Sequence, residues 1–347
     1  MNDLKFVVEN LGDKVIERFR GKTIFLCGAN GFLGRWFFDI FMYLNQTVLD
    51  NSCELISVDN NIVRKNSKNI SFVLDICKEI DLSKFNINKI DYIINCAGIA
   101  SPRIYKKYPF ETLDVSYLGT KNILELGSKF NVSSILCFSS SEVYGTPDKD
   151  NIPTTEEYIG IIPTMSDRSC YDIGKKVLET LCHVYNEQIN SPVKIIRPFN
   201  LYGPQMGLHD NRVLSNYISN IIRGESLKVY GNGLQTRTFC YVADAMVSIL
   251  KLLVYGIDGQ IYNVGNTKPE INIKELAQTV SNIFDNTSDV EIVDYPNFYP
   301  SDEPRRRCPD ITLLKSIVGY EPKFDLDYGL SKSCEWYLKY YEGNGNV

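Results

Sequence analysis

A doubly wound α/β fold, with a parallel central sheet and a smaller, irregular α/β lobe, is what this 347-residue chain predicts. Three observations point there. Short apolar runs alternate with helix-periodic segments from Thr23 to Arg197. The first run leads into a glycine-rich turn, Gly28-Ala29-Asn30-Gly31-Phe32-Leu33-Gly34, that opens a helix. Downstream, a serine cluster ends another run and a Tyr-x-x-x-Lys pair follows it. Short strands alternating with helices build a parallel sheet, and glycines at the first strand–helix turn mark the dinucleotide-binding (Rossmann) version of it.

The elements follow in order. Residues 3–19 carry apolar positions at helical spacing (Leu4, Val7, Val8, Leu11, Val15, Ile16), predicting an amphipathic helix ahead of the main fold. It packs either on the chain's own body or on a partner subunit. Strands are expected at 23–27, 54–59, 70–74, 92–97, 134–139 and 193–197, and helices at 33–44, 108–129 and 171–188. Beyond Arg197 the pattern loosens into Gly, Pro, Asn and Asp turns around a helix at 213–223, a strand at 261–264 and helices at 273–284 and 311–317. So irregular a segment is not expected to extend the parallel sheet; it forms a lobe at the sheet's C-terminal edge. The expected division is a helical extension over 1–20, a dinucleotide-binding domain over 21–202 to which 236–265 returns, and a substrate lobe from 203–235 and 266–341.

Composition narrows the function. With 44% hydrophobic and 23% charged residues the chain can bury a large core. A net charge of −5 and a pI near 5.3, without a basic stripe, argue against nucleic-acid and membrane-surface partners. Ten scattered cysteines form no C-x-x-C pair, and with two histidines no metal site is expected. Apolar cysteines in strand-like runs, such as Cys27, Cys96, Cys137 and Cys240, fit a reducing compartment. No signal-peptide core or membrane-spanning stretch is evident, so a cytoplasmic location is expected.

Each motif has a chemical reading. Gly28 and Gly31 let the backbone approach a pyrophosphate, Gly34 lets helix and strand pack closely, and the helix start at Phe32 and Leu33 presents amides to phosphate. Asp59 ends the second strand, where a carboxylate holds both ribose hydroxyls and repels a 2′-phosphate, favouring NAD; the nearby Arg64 and Lys65 keep NADP open. Asn60, Asp75 and Ile76, then Ala97 and Gly98, then Pro198 complete the expected cofactor contacts at successive strand ends. Lys175 lies four residues after Tyr171, hence on the same helical face, where its charge favours phenolate and makes Tyr171 a usable base. Ser140, Ser141 and Glu142 follow the fifth strand and point at the same crevice.

Taken together these residues resemble the extended short-chain dehydrogenase/reductases, the NAD-dependent epimerase/dehydratase family of nucleotide-sugar enzymes. The resemblance spans nearly everything from Gly21 to Tyr341 and is most similar to its UDP-glucuronate decarboxylase group. It rests on Ala100-Ser101-Pro102 with Tyr105 and Pro109, Ser141-Glu142-Val143-Tyr144-Gly145, Cys170-Tyr171-Asp172 with Gly174-Lys175, Phe199-Asn200 with Gly203-Pro204, Asp210 with Arg212-Val213, Val229-Tyr230-Gly231 with Gln235-Thr236-Arg237, and Arg307-Cys308-Pro309-Asp310. Ser116 departs from the family's usual asparagine, and Arg103, Lys106 and Lys107 depart from the group's loop and suit a larger or more anionic substrate.

The resemblance implies tightly held NAD, a 4-keto sugar intermediate with Tyr171 as base and Ser140 as its aid, and loss of the C6 carboxylate as CO₂. Arg307 would orient that carboxylate and Glu142 would hold sugar or water. Tyr105, Asn200, Arg212, Tyr230, Gln235 and Arg237 would contact the nucleotide sugar. A homodimer through the helices at 108–129 and 171–188 and a place in polysaccharide synthesis are further implied. A 4,6-dehydratase, a C4 epimerase or 4-dehydrogenase, and a catalytically silent NAD-binding scaffold stay open as alternatives.

Overall fold

The structure, a computed structural model, describes residues 2–61, 69–208, 210, 212–284, 288–295 and 305–344. Seven strands form one parallel sheet: β1 (Thr23–Cys27), β2 (Glu54–Asp59), β3 (Ile70–Val73), β4 (Tyr92–Asn95), β5 (Ser134–Phe138), β6 (Val193–Pro198) and β7 (Ile261–Val264). Their order is β3-β2-β1-β4-β5-β6-β7. Chain direction across the sheet reverses between β1, which pairs with β2 in register Thr23 to Glu54, and β4, which pairs with β1 through Ile24 and Tyr92. Crevices at such a switch point receive ligands at the carboxyl ends of the strands. β1, β4 and β5 are buried along their whole length, as strands covered on both faces must be.

Two expectations about this frame need correction. Ile261–Val264 does extend the parallel sheet: it pairs with β6 from Ile195 to Pro198 as the outermost strand. The expected single helix at the N-terminus is two, α1 (Asp3–Leu11) and α2 (Asp13–Glu17), broken at Gly12, whose φ of 81° is one that glycine tolerates best. Both pack on the chain's own body. Phe6, Val7, Val8, Leu11, Val15 and Ile16 are buried in the main core, and α1 lies against α3 (Phe32–Thr47) and α9 (Val242–Tyr255).

The expected helix over 108–129 is also subdivided. A helix over 102–107, α4 (Pro102–Lys107), precedes it, and Pro109 starts α5 (Pro109–Asp114) at a position where the missing N–H costs nothing. A π-helical turn, Val115–Gly119, separates α5 from α6 (Thr120–Phe130). It brings Gly119 against Ile76, where a Cβ would stand 2.9 Å from the isoleucine side chain. The extra residue per turn is the usual device for re-aiming a helix near a site. The remaining helices are α7 (Ser169–Ile189), α8 (Val213–Ile222), α10 (Ile273–Ile283), α11 (Thr312–Val318) and α12 (Leu326–Asn344). α6 and α7 both end on left-handed asparagines, Asn131 and Asn190.

Outside the large sheet, Thr236–Thr238 pairs antiparallel with Glu270–Asn272 and parallel with Arg306–Arg307, and Leu227–Tyr230 pairs with Val290–Val293. The register sets Arg307 beside Arg237.

A buried guanidinium joins the sheet to α7. Arg197 on β6 reaches Glu179 through Nε at 2.8 Å and Nη2 at 2.7 Å, and its Nη1 donates to the Tyr144 hydroxyl at 2.8 Å. Tyr144 in turn donates to Asn263 on β7 at 2.7 Å. Ser139 donates to the same Glu179 carboxylate at 2.5 Å. Replacing Arg197 by Met would leave Glu179 without its cation in the interior. The expected loss of stability, read from urea unfolding, is about 3–5 kcal/mol. A loss below about 1 kcal/mol would place the hub among dispensable surface pairs.

Candidate active site

The strand ends and α7 meet in one cleft of about 1090 Å³. On its cofactor side the glycine turn is built as the sequence predicts. Gly28 has φ +70°, and a Cβ there would stand 2.7 Å from the Ala97 amide nitrogen. A Cβ on Gly34 would collide with the Gly28 carbonyl oxygen. α3 begins at Gly31 without any side-chain cap, and Gly31, Phe32, Leu33 and Gly34 line the cleft. Uncapped first-turn amides beside a tight glycine turn are a fitting seat for a pyrophosphate. The donor set therefore fits NAD.

Asp59 is placed beside this turn, but its carboxylate is engaged with backbone: it accepts the Asn30 amide at 2.9 Å and the Asn61 amide at 3.3 Å. Asn60 is exposed next to it. Arg64 and Lys65 lie outside the described residues. Asp75 accepts the Cys77 amide at 3.0 Å, while Ile76 is buried and offers its carbonyl to Asn122 at 2.8 Å. Of the expected cofactor residues, Gly98 and Pro198 line the cleft directly; Gly28, Asp59, Asn60, Asp75, Ile76 and Ala97 stand outside its lining.

At the cleft floor Tyr171 and Lys175 occupy the first two turns of α7, both buried. Lys175 Nζ donates to the Phe138 carbonyl at the end of β5 at 2.6 Å and stands 5.8 Å from the centroid of the Tyr171 ring. The expected lysine-lowered phenol is not what this geometry produces. Burial pushes the Tyr171 hydroxyl up to about 12, opposed chiefly by a hydrogen bond with Ser140. Burial also brings Lys175 down to about 8, which weakens the charge it was to lend. These surroundings favour a neutral phenol.

Ser140 caps a 3-10 turn, Ser141–Tyr144, its Oγ accepting the Glu142 amide at 3.2 Å. That bond aims Glu142 across the cleft, where its Oε2 accepts from two guanidinium groups, the Nη2 of Arg307 and the Nη2 of Arg168. Arg168 also donates through Nε to Asp172 Oδ2 at 3.3 Å. Asp172 is raised to about 7, first by burial and then by Glu142, with Arg168 opposing. Arg307 Nε, Asp172 Oδ1 and the Tyr105 hydroxyl are buried and lack hydrogen-bond partners among the described residues. The Tyr105 ring stacks on Tyr171, centroids 5.3 Å apart and planes within 11°.

Toward the second lobe, Asn200 donates to the Thr238 carbonyl at 2.8 Å from a left-handed backbone (φ 42°), and Arg237 bonds the Thr236 and Arg305 carbonyls at 2.8 and 3.2 Å. Arg212 pairs with Asp210. Tyr230 and Gln235 line the same cleft. Arg168 and Asp172 are the residues that the sequence reading missed. The available signal was an i,i+4 pair of opposite charge enclosing Tyr171 at the start of α7.

Residues 24–265 match the model of the NAD dependent epimerase/dehydratase family. The chain is 41% identical over 250 residues to UDP-glucuronic acid decarboxylase 5 of Arabidopsis thaliana, covering 72% of this chain and 71% of that one. It is 34% identical over 331 residues to UDP-glucuronic acid decarboxylase 1 of Danio rerio, covering 94% and 75%. Its fold matches a UDP-glucuronic acid 4-epimerase from Bacillus cereus, solved with UDP-glucuronic acid and NAD, at TM-score 0.78 and 23% identity over 92% and 100% of the two chains.

The depressed Lys175 has a thermodynamic consequence. Between pH 8 and 10.5 the unfolded chain holds a proton on this lysine that the folded chain has released, so folding stability should rise with pH across that window. Relative to a Lys175→Met variant, the gain is expected to total roughly 3 kcal/mol, read from urea midpoints at successive pH values. A flat difference between the two proteins would refute a buried, easily neutralised lysine.

Proposed function

The chain belongs to the NAD dependent epimerase/dehydratase family, and we propose that it converts UDP-glucuronate to UDP-xylose and CO₂ through a 4-keto intermediate. As a member it is an NAD-dependent enzyme acting on nucleotide sugars. The observation that carries the decarboxylase reading over its alternatives is Arg307, a half-buried guanidinium beside Glu142 whose buried Nε lacks a partner among the described residues, in a chain whose relatives at 34–42% identity are named UDP-glucuronic acid decarboxylases. A carboxylate-bearing sugar gives that donor an acceptor; a hexose without a carboxylate does not.

When bound, oxidised NAD supplies the hydride acceptor for C4, a positive charge in the cleft, and the hydride returned at the end. The glycine turn and the first turn of α3 would hold its pyrophosphate, and Lys175 has donors left for its ribose beyond the one spent on Phe138. Tyr171 takes the proton from the sugar 4-hydroxyl, assisted by its hydrogen bond with Ser140. With C4 a ketone, the C6 carboxylate is β to it. The C5–C6 bond then breaks, its electron pair moves into the enolate, and Ser140 with the Tyr171 hydroxyl stabilises the charge on O4. Arg307 orients the departing carboxylate, and Glu142 holds the sugar or the water beside C5, where a proton replaces the lost CO₂ and restores the 4-ketone before Tyr171 gives its proton back to O4. Asn200, Arg212 and Arg237 face the diphosphate, for which forked arginine donors are suited.

The two-part division of the chain belongs to the same reading, with residues 21–202 and 236–265 carrying the cofactor and 203–235 and 266–341 the nucleotide sugar. So does a homodimer through α5, α6 and α7. Large apolar side chains stand exposed there, Phe110 at 78%, with Leu113, Tyr117, Val184 and Ile189. Among the described residues no helix is long and apolar enough to cross a membrane. A cytoplasmic role in supplying activated pentose for polysaccharide synthesis is the setting this activity implies.

Mass spectrometry after incubation with UDP-glucuronate should show loss of about 44 mass units, the CO₂ that the chemistry removes. Loss of water from dTDP-glucose or GDP-mannose in parallel tubes would replace this reading by a dehydratase. Tyr171→Phe should retain NAD and lose about a thousandfold in kcat; wild-type turnover in that variant would sink the mechanism. Arg307→Ala should slow CO₂ release more than C4 oxidation, followed by NADH absorbance in single turnover, and equal losses would remove its carboxylate role.

A further inference from the structure

Arg168 is the buried cation that the reaction above leaves without a task. Its side chain is 9% exposed, it precedes the first turn of α7, and it lines the main cleft. It also lines a second pocket of about 280 Å³, walled by Ile161, Ile162 and Pro163, on whose border Glu142, Arg168 and Asp172 lie together. Four charged groups alternate in sign through this wall: Asp172, Arg168, Glu142 and Arg307. One oxygen of Glu142 is shared by both guanidinium groups.

That sharing cannot persist unchanged once a second carboxylate reaches Arg307. A substrate carboxylate seated on Arg307 competes with Glu142 for the same forked donors and repels it. A largely enclosed carboxylate losing its cation would swing away toward solvent, which would remove the group beside C5. Arg168 is the cation that stays. Its own direction is set by Asp172 four residues on along α7, through Nε rather than the Nη2 that holds Glu142.

Resting on the decarboxylase reading, we propose that Arg168, oriented by Asp172, is the positioning residue for Glu142: it holds that carboxylate in place while Arg307 turns to the carboxylate of the substrate. The motif Cys170-Tyr171-Asp172 thereby acquires a second function. Tyr171 faces the reacting oxygen, and its neighbour steers the group on the other side of the sugar.

The test compares Arg168→Ala, Arg168→Lys and Asp172→Asn in steady-state turnover of UDP-glucuronate across pH, with and without guanidinium chloride against matched sodium chloride. The charged and titratable groups facing Glu142 are Arg168, Arg307, Asp172, Tyr171 and Tyr105, and the unaltered ones serve as the constant background. Arg168→Ala should lower kcat by about a hundredfold, the scale of loss for a misplaced group, with KM changed by less than about threefold. Arg168 opposes the rise of the Asp172 carboxyl, so without it that carboxyl rises further and the acid limb of the rate profile should move to higher pH. Arg168→Lys should keep part of the lost rate. Guanidinium entering by the second pocket should restore about tenfold, a partial recovery of that loss.

An unchanged kcat, or a loss with an unmoved pH profile, would overturn the assignment, since a merely structural arginine moves stability alone. Should Arg168→Ala not fold, Arg168→Lys carries the same pH readout. Wild-type protein that releases no CO₂ would overturn the decarboxylase reading and this inference with it. Wild-type release with unaffected variants would overturn this inference alone.

Discussion

The whole catalytic arrangement hangs on the ion pair between Arg197 and Glu179. Glu179 lies four residues beyond Lys175 and eight beyond Tyr171, on the same face of α7. Anchoring Glu179 to β6 therefore anchors the two turns of helix that carry Tyr171, the proposed base, and Lys175. The remaining donor of Arg197 holds Tyr144, the last residue of the turn that carries Ser141 and Glu142, and Ser139 at the head of that turn bonds Glu179 directly. Two chain segments that meet the substrate from different sides are thus referenced to one planar cation. A guanidinium suits the task because its donors lie in a rigid fork. Glu179, the Tyr144 hydroxyl and the Glu156 carbonyl account for the donors it uses, which is how a buried charge becomes tolerable.

Inside that frame, burial works against charge. The phenol of Tyr171 is raised, the amine of Lys175 is lowered, and Asp172 is pushed toward neutrality, in each case first by removal from water. A site in this condition is a poor base on its own and becomes one when positive charge arrives. The same dry surroundings strengthen every interaction with the enolate oxygen once it forms. Although the chain carries a net charge of −5, Arg168, Arg212, Arg237 and Arg307 all line the cleft, so its local field favours a substrate with a diphosphate and a carboxylate.

Much of this was legible from the sequence because it depends on local pattern. Six of the sheet strands, the glycine turn, the Ser140–Glu142 segment and the Tyr171–Lys175 spacing are contiguous signals with a period or a turn chemistry of their own. What escaped has reasons of the opposite kind. α9 is buried over nearly its whole length, from Val242 to Leu253, and an all-round apolar helix has no amphipathic period to detect. β7 is legible as a strand, but it follows a long irregular segment and joins the sheet through a partner, β6, that ends more than sixty residues earlier, so no local pattern assigns it to that sheet. The π turn and the break at Gly12 are single-residue adjustments that leave the hydrophobic period almost intact. Arg168 and Asp172 look like an ordinary surface i,i+4 pair until Glu142, distant in sequence, is brought against them.

The charge count of that wall explains why one carboxylate sugar suits it better than two independent contacts would. Asp172, Arg168, Glu142 and Arg307 set two carboxyl groups against two guanidinium groups, an alternation that makes their burial tolerable. A substrate carboxylate would add one negative charge to a wall where burial and Glu142 already push Asp172 up to about 7. In the proposed reaction decarboxylation takes that charge away from the wall: the carboxylate leaves as neutral CO₂ and its negative charge passes to O4, on the side of Ser140 and Tyr171. The wall is then left with its own four groups and Glu142 beside C5. Ground-state crowding of like charge and stabilisation of the enolate thus act in the same direction, and both follow from placing a second arginine behind the first glutamate.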